Sequence, residues 1–176
     1  MAFVSEVKTV YQTHDATSYR PEPLRALVVD DDHCLVQVVQ QMMEVLGFRA
    51  DSANGGLAAI RYLSQSRYDL MVTDLQMPDM DGYELSGWLK NKSKDTRVIV
   101  MTGCCHADVV NYMNTGIVDR WMFKPFSLTK LAGIVGELVP ADYLSPFAKT
   151  KITVCHPGSA PDDGQRKAIV RGFPPY

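Results

Sequence analysis

Acidic side chains, with one lysine and one threonine, are the first candidates for chemistry in this sequence. Asp30, Asp31 and Asp32 follow the apolar run LVV, and Asp74 ends a second apolar run, LMVTD. A third apolar run ends in a threonine, and a fourth is followed by a lysine. Converging carboxylates repel one another unless a cation lies between them, and an all-oxygen cluster with few ligands suits Mg²⁺. These residue types predict a hard-metal site if the fold brings them together.

Short apolar runs alternate with amphipathic stretches between residues 24 and 138, and this alternation predicts the fold. The first amphipathic stretch has apolar residues at three- and four-residue spacing and ends at Gly47, as helices commonly do. Strict alternation predicts a doubly wound α/β domain with a five-stranded parallel sheet and five helices. The predicted strands are 24–29, 48–53, 70–74, 98–102 and 120–123, and the predicted helices are 35–46, 55–65, 83–91, 106–115 and 128–138.

In such a sheet, ligands bind beyond the carboxyl ends of the strands. The aspartates after the first strand, Asp74, Thr102 and Lys124 are all expected at that edge. The alternative for any one acid is a solvated loop position. Asp32 is expected to point to solvent or to cap the next helix, and Asp79 and Asp81 are expected to be turn and helix-start residues.

Length and composition limit the class of protein. The chain has 176 residues, of which 46% are hydrophobic and 22% charged, with a formal net charge of −2. That length suits one domain with extensions, and the hydrophobic content excludes a disordered chain. No apolar run reaches the roughly 18 to 20 residues that cross a bilayer, and the near-neutral charge gives no general attraction for nucleic acid. The first residues lack a signal-peptide pattern, so we expect a cytoplasmic protein.

Three segments follow from the distribution of prolines and turn residues. We expect an N-terminal extension over residues 1–22, one domain over 23–140 and a C-terminal tail over 141–176. The tail is too short for a packed output domain and is expected to be extended or disordered.

The four cysteines lack the spacing of a metal site or a disulfide framework. They are expected to be reduced thiols inside or beside the core, with a redox input at the Cys104-Cys105 pair as the alternative. Their positions are Cys34, Cys104, Cys105 and Cys155.

Taken in order, the motifs resemble the receiver domain of response regulators, the CheY-like domain of two-component signalling. The resemblance covers about residues 24 to 139. It rests on the aspartates after LVV, Asp74 in MVTDLQMPDMDG, Thr102-Gly103 after VIVM, and Lys124-Pro125-Phe126. Asp31, Asp74, Thr102 and Lys124 lie 43, 28 and 22 residues apart in turn, which are the lengths of one or two strand-helix units. The fold it implies is flavodoxin-like.

The resemblance implies that Asp74 is the phosphoacceptor, which takes a phosphoryl group from a phosphohistidine on a sensor histidine kinase or phosphotransfer protein. It implies that Mg²⁺ is the cofactor, held by Asp30, Asp31, Asp74 and the backbone carbonyl of Gln76. Lys124 would contact the phosphoryl group or Asp74, and its bond to Pro125 would be cis.

The same resemblance implies a switch made of Thr102 and Trp121. Thr102 would donate its hydroxyl to a phosphoryl oxygen, and Gly103 would leave room for that group. Trp121 stands where family members usually carry a Tyr or Phe that changes rotamer. A tryptophan is bulkier, so the coupling between the two positions is open.

The expected function is a phosphorylation-controlled regulator that signals through protein-protein interaction with a downstream protein, without contacting nucleic acid or membrane. A homodimer through the face formed by 106–115, 120–123 and 128–138 is a further option. The alternatives are a receiver fragment of a longer regulator or hybrid kinase, and a binding module independent of phosphorylation. A haloacid-dehalogenase-type enzyme is disfavoured because Cys34 stands where its motif needs Thr or Val. The chain is therefore expected to be a phosphoacceptor and not a conventional enzyme.

Overall fold

A computed structural model describes residues 22–103, 109, 112, 115–146, 148 and 149. One five-stranded parallel sheet lies at its centre, with the order β2-β1-β3-β4-β5. The strands are β1 (Arg25–Asp30), β2 (Arg49–Asn54), β3 (Leu70–Asp74), β4 (Arg97–Thr102) and β5 (Arg120–Phe123). The described helices are α1 (His33–Leu46), α2 (Gly56–Gln65), α3 (Gly82–Lys92) and α4 (Leu128–Leu138), followed by a 3₁₀ turn at Ala141–Tyr143.

The five-stranded parallel sheet and the doubly wound class are confirmed. Four of the five predicted helices lie among the described residues, while the predicted helix 106–115 lies outside them apart from Val109, Tyr112 and Thr115. No helix within the described ranges is both long and apolar enough to cross a membrane.

Each face of the sheet carries its own apolar core, which explains the continuous apolar runs in the strands. Ala26 and Val28 of β1 pack on the side of α1 and α4, whereas Leu27 and Val29 pack on the side of α2 and α3. Strands that are buried on both faces have no polar side to alternate with. The edge strand β2, with sequence RADSAN, is only partly buried and gives the weakest strand pattern.

Local side-chain contacts fix the start of two helices at the carboxyl edge of the sheet. Asp32 caps α1 by accepting hydrogen bonds from the backbone N–H groups of Cys34 and Leu35, so this helix begins two residues earlier than predicted. Asp81 caps α3 in a reciprocal capping box with Glu84. The predicted capping role of Asp32 and helix-start role of Asp81 are confirmed.

The first part of the predicted tail packs on the domain. Leu144 and Ala148 are buried in the core on the side of α1 and α4. Ser145 donates its backbone N–H to the carbonyl of Leu46 at 2.9 Å and its hydroxyl to the carbonyl of Val45 at 2.7 Å. The described residues of the range 141–149 therefore pack on the domain.

Cys34 differs from its expected place in or beside the core. It is a free thiol in the first turn of α1 and is exposed, because it lies opposite the helix face that buries Val36 and Val39. Cys104, Cys105 and Cys155 lie outside the described residues.

Candidate functional site

Two buried carboxylates stand side by side where β1 and β3 end. Asp30 is 1% exposed and Asp74 is 7% exposed, and Asp31 beside them faces solvent. β1 and β3 are neighbours in the sheet, and the strand order reverses at this point because β2 lies on the other side of β1. Oxygen atoms of Asp30, Asp31 and Asp74 lie within 4.8 Å of one another. The three acids thus meet at the place where doubly wound sheets bind ligands.

A single lysine connects the two buried acids. The Nζ of Lys124 lies 2.8 Å from Oδ1 of Asp74 and 3.0 Å from Oδ2 of Asp30. Its backbone is held at the sheet edge because its N–H donates to the carbonyl of Thr102 at 2.7 Å. The bond between Lys124 and Pro125 is cis, as predicted.

Burial controls the protonation equilibria of this cluster. It raises the pKa of Asp74, the negative charge of Asp30 adds to that rise, and the hydrogen bond from Lys124 opposes it. Burial works to lower the pKa of Lys124, but its hydrogen bonds with Asp74 and Asp30 outweigh burial and the pKa is raised. Lys124 is therefore charged at neutral pH, and it is shared between two carboxylates.

Backbone contacts fix the loop that follows Asp74. Glycine is required at position 82 because a Cβ there would collide with the carbonyl oxygen of Asp74. The N–H of Gly82 donates to the carbonyl of Leu75 at 2.9 Å, and the N–H of Leu75 donates to the carbonyl of Met101 at 2.8 Å. The loop after β3 is thus fastened to β4 and to the start of α3.

The remaining predicted site residues take different places. Thr102 is fully buried at the end of β4. Gln76 is exposed two residues after Asp74. Trp121 is half-buried within β5, apart from the three acids, and stacks on Tyr112 with ring centroids 6.5 Å apart. The ring of Tyr112 in turn lies 4.6 Å from that of Tyr83, the second residue of α3.

Sequence reasoning missed two features of this site. The contact of Lys124 with Asp30 was not anticipated, because the lysine was expected against Asp74 or a phosphoryl group. The close approach of Gly82 to the carbonyl oxygen of Asp74 was not expected either. The glycine eight residues after Asp74, directly after an acidic capping residue, was the available signal.

The donor set fits a divalent hard cation. Three carboxylates and one ammonium leave surplus negative charge, and two of the carboxylates are removed from solvent. Oxygen-only ligands with one exposed carboxylate suit Mg²⁺, which binds few protein ligands and keeps several waters.

Comparison with known proteins gives the same family by sequence and by structure. The response regulator receiver domain family matches residues 26–135. The sensor protein EvgS of Escherichia coli strain K12 is 28% identical over 144 residues, which are 80% of this chain and 12% of EvgS. The transcriptional regulatory protein ZraR of Klebsiella oxytoca is 28% identical over 153 residues, 86% of this chain and 34% of ZraR. The chain therefore matches about a third or less of these relatives.

Among solved structures, the response regulator TrrA of Thermotoga maritima, in complex with Mg²⁺-BeF, matches with a TM-score of 0.60 and 28% identity. The match covers 66% of this chain and 99% of TrrA. The chemotaxis protein CheY4 of Vibrio cholerae matches in fold with a TM-score of 0.62 and 23% identity, over 66% of this chain and 99% of CheY4. The family match over residues 26–135, together with the acidic cluster at the switch point of the sheet, shows that the chain belongs to the response regulator receiver domain family.

Proposed function

We propose that this protein is a phosphorylation-controlled regulator in which Asp74 accepts a phosphoryl group. The observation that carries the proposal is the cluster of Asp30, Asp31 and Asp74 within 4.8 Å, with Lys124 bound to the two buried acids. A solved relative, TrrA, binds Mg²⁺-BeF.

In the proposed reaction, a carboxylate oxygen of Asp74 attacks the phosphorus of a phosphohistidine on a partner protein. The new bond joins Asp74 oxygen to phosphorus, the phosphorus–nitrogen bond breaks, and the imidazole nitrogen leaves with the bonding electron pair. Asp74 is buried, its carboxylate contacts Lys124, and the backbone after it is fixed by the hydrogen bonds of Leu75 and Gly82. The product is an aspartyl phosphate, whose formation and hydrolysis would be promoted by this chain's own residues.

Mg²⁺, held by Asp30, Asp31, Asp74 and the backbone carbonyl of Gln76, would supply positive charge that offsets repulsion between the acids and the phosphoryl group. Asp30 is already oriented, since its Oδ1 accepts the N–H of Asp32 at 2.9 Å. Lys124 would place its ammonium against the bound phosphoryl group as a point charge. In this proposal the acids bind the cation, and Lys124 offsets the negative charge of the phosphoryl group on Asp74.

Thr102 and Trp121 would transmit the conformational change that follows phosphorylation of Asp74 to the surface of the domain. Thr102, buried at the end of β4, would donate its hydroxyl to a phosphoryl oxygen. Because the N–H of Lys124 bonds the carbonyl of Thr102, a shift of the threonine also acts on the chain after β5. The stacking of Trp121 on Tyr112 supports transmission of this change through Trp121. Because an indole is wider than the ring of Tyr or Phe, the rotamer change of Trp121 would be smaller.

The partners follow from the same chemistry. We propose a sensor histidine kinase or phosphotransfer protein as the donor and a further protein as the downstream target, in the cytoplasm. A cavity of about 590 Å³ beside β5 supports protein contact there, including the option of a homodimer. Its lining includes Trp121, Phe123 and Phe126. The receiver would occupy residues 23–140, with an extension at 1–22 and a tail at 141–176, either as a separate protein or as part of a longer regulator.

The experiment is intact-mass spectrometry after incubation with Mg²⁺ and acetyl phosphate. Wild type should gain one phosphoryl group, and Asp74→Asn should gain none because the amide is not nucleophilic at phosphorus. Omission of Mg²⁺ with added chelator should abolish the wild-type adduct. Circular dichroism of Asp74→Asn checks that the fold is kept.

Asp79→Asn is the matched control, because Asp79 is an exposed acid five residues away. It has a positive φ of 67°, which asparagine also tolerates. This variant should be phosphorylated like wild type. An undiminished adduct on Asp74→Asn would remove Asp74 from the proposed role.

A further inference from the structure

An apolar seam runs along the outer face of α1. Leu35, Val38, Met42 and Val45 follow one another at spacings of three, four and three residues, which places them on one face of the helix. Val38 is 46% exposed and Val45 is 48% exposed, whereas Leu35 and Met42 are partly buried against the core. These four residues are called the α1 seam below.

The chain returns to this helix after α4. The two hydrogen bonds of Ser145 attach the chain to the last carbonyls of α1, next to Val45. The returning chain packs closely on the end of α1, since a Cβ on Gly47 would lie 3.0 Å from the backbone nitrogen of Ser145. Ala148 is fully buried just beyond this attachment, so the chain leaves the described region at Lys149 close to the C-terminal end of the seam.

The next residues have the pattern and the length to cover the seam. The sequence 150–155 is TKITVC, in which Ile152 and Val154 alternate with polar residues and share one side of an extended chain. Six residues span about 20 Å when extended. From Val45 back to Cys34 the helix rises about 16 Å. A segment that runs back along α1 from Lys149 therefore reaches its first turn.

We propose that residues 150–155 dock in extended form on the α1 seam, with Ile152 and Val154 packed against its apolar side chains. This path brings Cys155 to the first turn of α1, where Cys34 is free and exposed. The docked segment would cover the face of α1 that adjoins the acidic site through Asp32. The proposal does not depend on phosphoryl transfer, so it stands or fails separately from the proposed function.

The test uses the full chain and a mild thiol oxidant, diamide, which accepts two electrons and two protons for each disulfide formed. Trypsin places Cys34, Cys155 and the Cys104-Cys105 pair in three separate peptides, so mass spectrometry identifies each linked pair. At low protein concentration the dominant product should be an intramolecular link between Cys34 and Cys155. The double variant Ile152→Asp, Val154→Asp should reduce its rate of formation at least about tenfold, because it lowers the local concentration of the second thiol.

The matched control moves the thiol around the helix. Gln37 is exposed one turn away from Cys34 and lies off the seam, so Gln37→Cys with Cys34→Ser should link to Cys155 much more slowly. Alkylation of Cys34 without oxidant should be several-fold faster in the double variant than in wild type. Equal linking rates for the two thiol positions, or no effect of the double variant, would overturn the proposal. Links that form only between chains would instead assign the seam to a second copy.

Discussion

The two edges of the sheet use the same residue types with opposite charge balance. At the amino edge, one carboxylate is served by several donors. Asp119 accepts hydrogen bonds from Lys90 at 2.8 Å, from Arg97 at 3.1 Å and from the N–H of Val98 at 2.8 Å. Burial works to raise the pKa of Asp119, but these hydrogen bonds outweigh it and the pKa is lowered.

At the carboxyl edge, two buried carboxylates share Lys124 and the pKa of Asp74 is raised. At the amino edge, the charge of Asp119 is therefore balanced by Lys90 and Arg97. The carboxyl edge retains negative charge that a bound cation can offset. Without that cation, repulsion between the buried carboxylates lowers the stability of the fold. Both edges contain ion pairs, so ion pairs alone do not identify the candidate site. The uncompensated negative charge at the carboxyl edge does identify it.

The largest effect on stability is expected at the amino edge of the sheet. Asp119→Ala leaves the N–H of Val98 without its acceptor and leaves Lys90 with only the carbonyl of Thr96, both in a partly buried place. This loss should cost about 3 kcal/mol. Urea unfolding measures this loss, and Asp95→Ala, at an exposed acid near the same edge, should change stability by less than about 0.5 kcal/mol. Equal losses for the two variants would contradict the assigned role of Asp119.

A smaller effect is expected at the site. Lys124→Ala leaves Asp30 and Asp74 buried without their shared cation, which should cost about 2 kcal/mol in the absence of Mg²⁺. Added Mg²⁺ should restore most of that stability, as should Asp74→Asn in the same chain. Urea unfolding with Mg²⁺ or with chelator measures both effects. If Lys124→Ala is as stable as wild type without Mg²⁺, the carboxyl edge does not carry the uncompensated negative charge assigned to it.

The smallest effect concerns pH. The folded pKa of Asp119 lies below its unfolded value, so its contribution to stability is present above the unfolded pKa and is lost as pH falls through the folded pKa. The stability gap between wild type and Asp119→Asn should therefore narrow as the pH falls from about 6 toward 3. Urea unfolding across this range measures it, and a gap that widens in acid would have the wrong sign.

Much of the fold could be predicted because local pattern and tertiary burial agree. β3, β5 and α4 have the predicted bounds, since apolar runs and helical spacing end there at turn residues. The meeting of Asp30, Asp31 and Asp74 followed from the rule that parallel strands end at one edge.

Other features depend on contacts between distant residues, which a local pattern does not contain. The reach of Lys124 to Asp30 depends on side-chain conformation across the sheet edge. The packing of Leu144 and Ala148 depends on space beside α1 and α4 that only the assembled domain shows. The proline-rich sequence around these two residues contains no local signal for that packing.

The most direct measurement locates the phosphoryl group chemically. Borohydride reduction of the protein after treatment with acetyl phosphate and Mg²⁺ converts an aspartyl phosphate to homoserine, and peptide sequencing by mass spectrometry then identifies the position. The account predicts homoserine at position 74 alone. Homoserine at Asp30, Asp31 or Asp79 in place of Asp74 would contradict it.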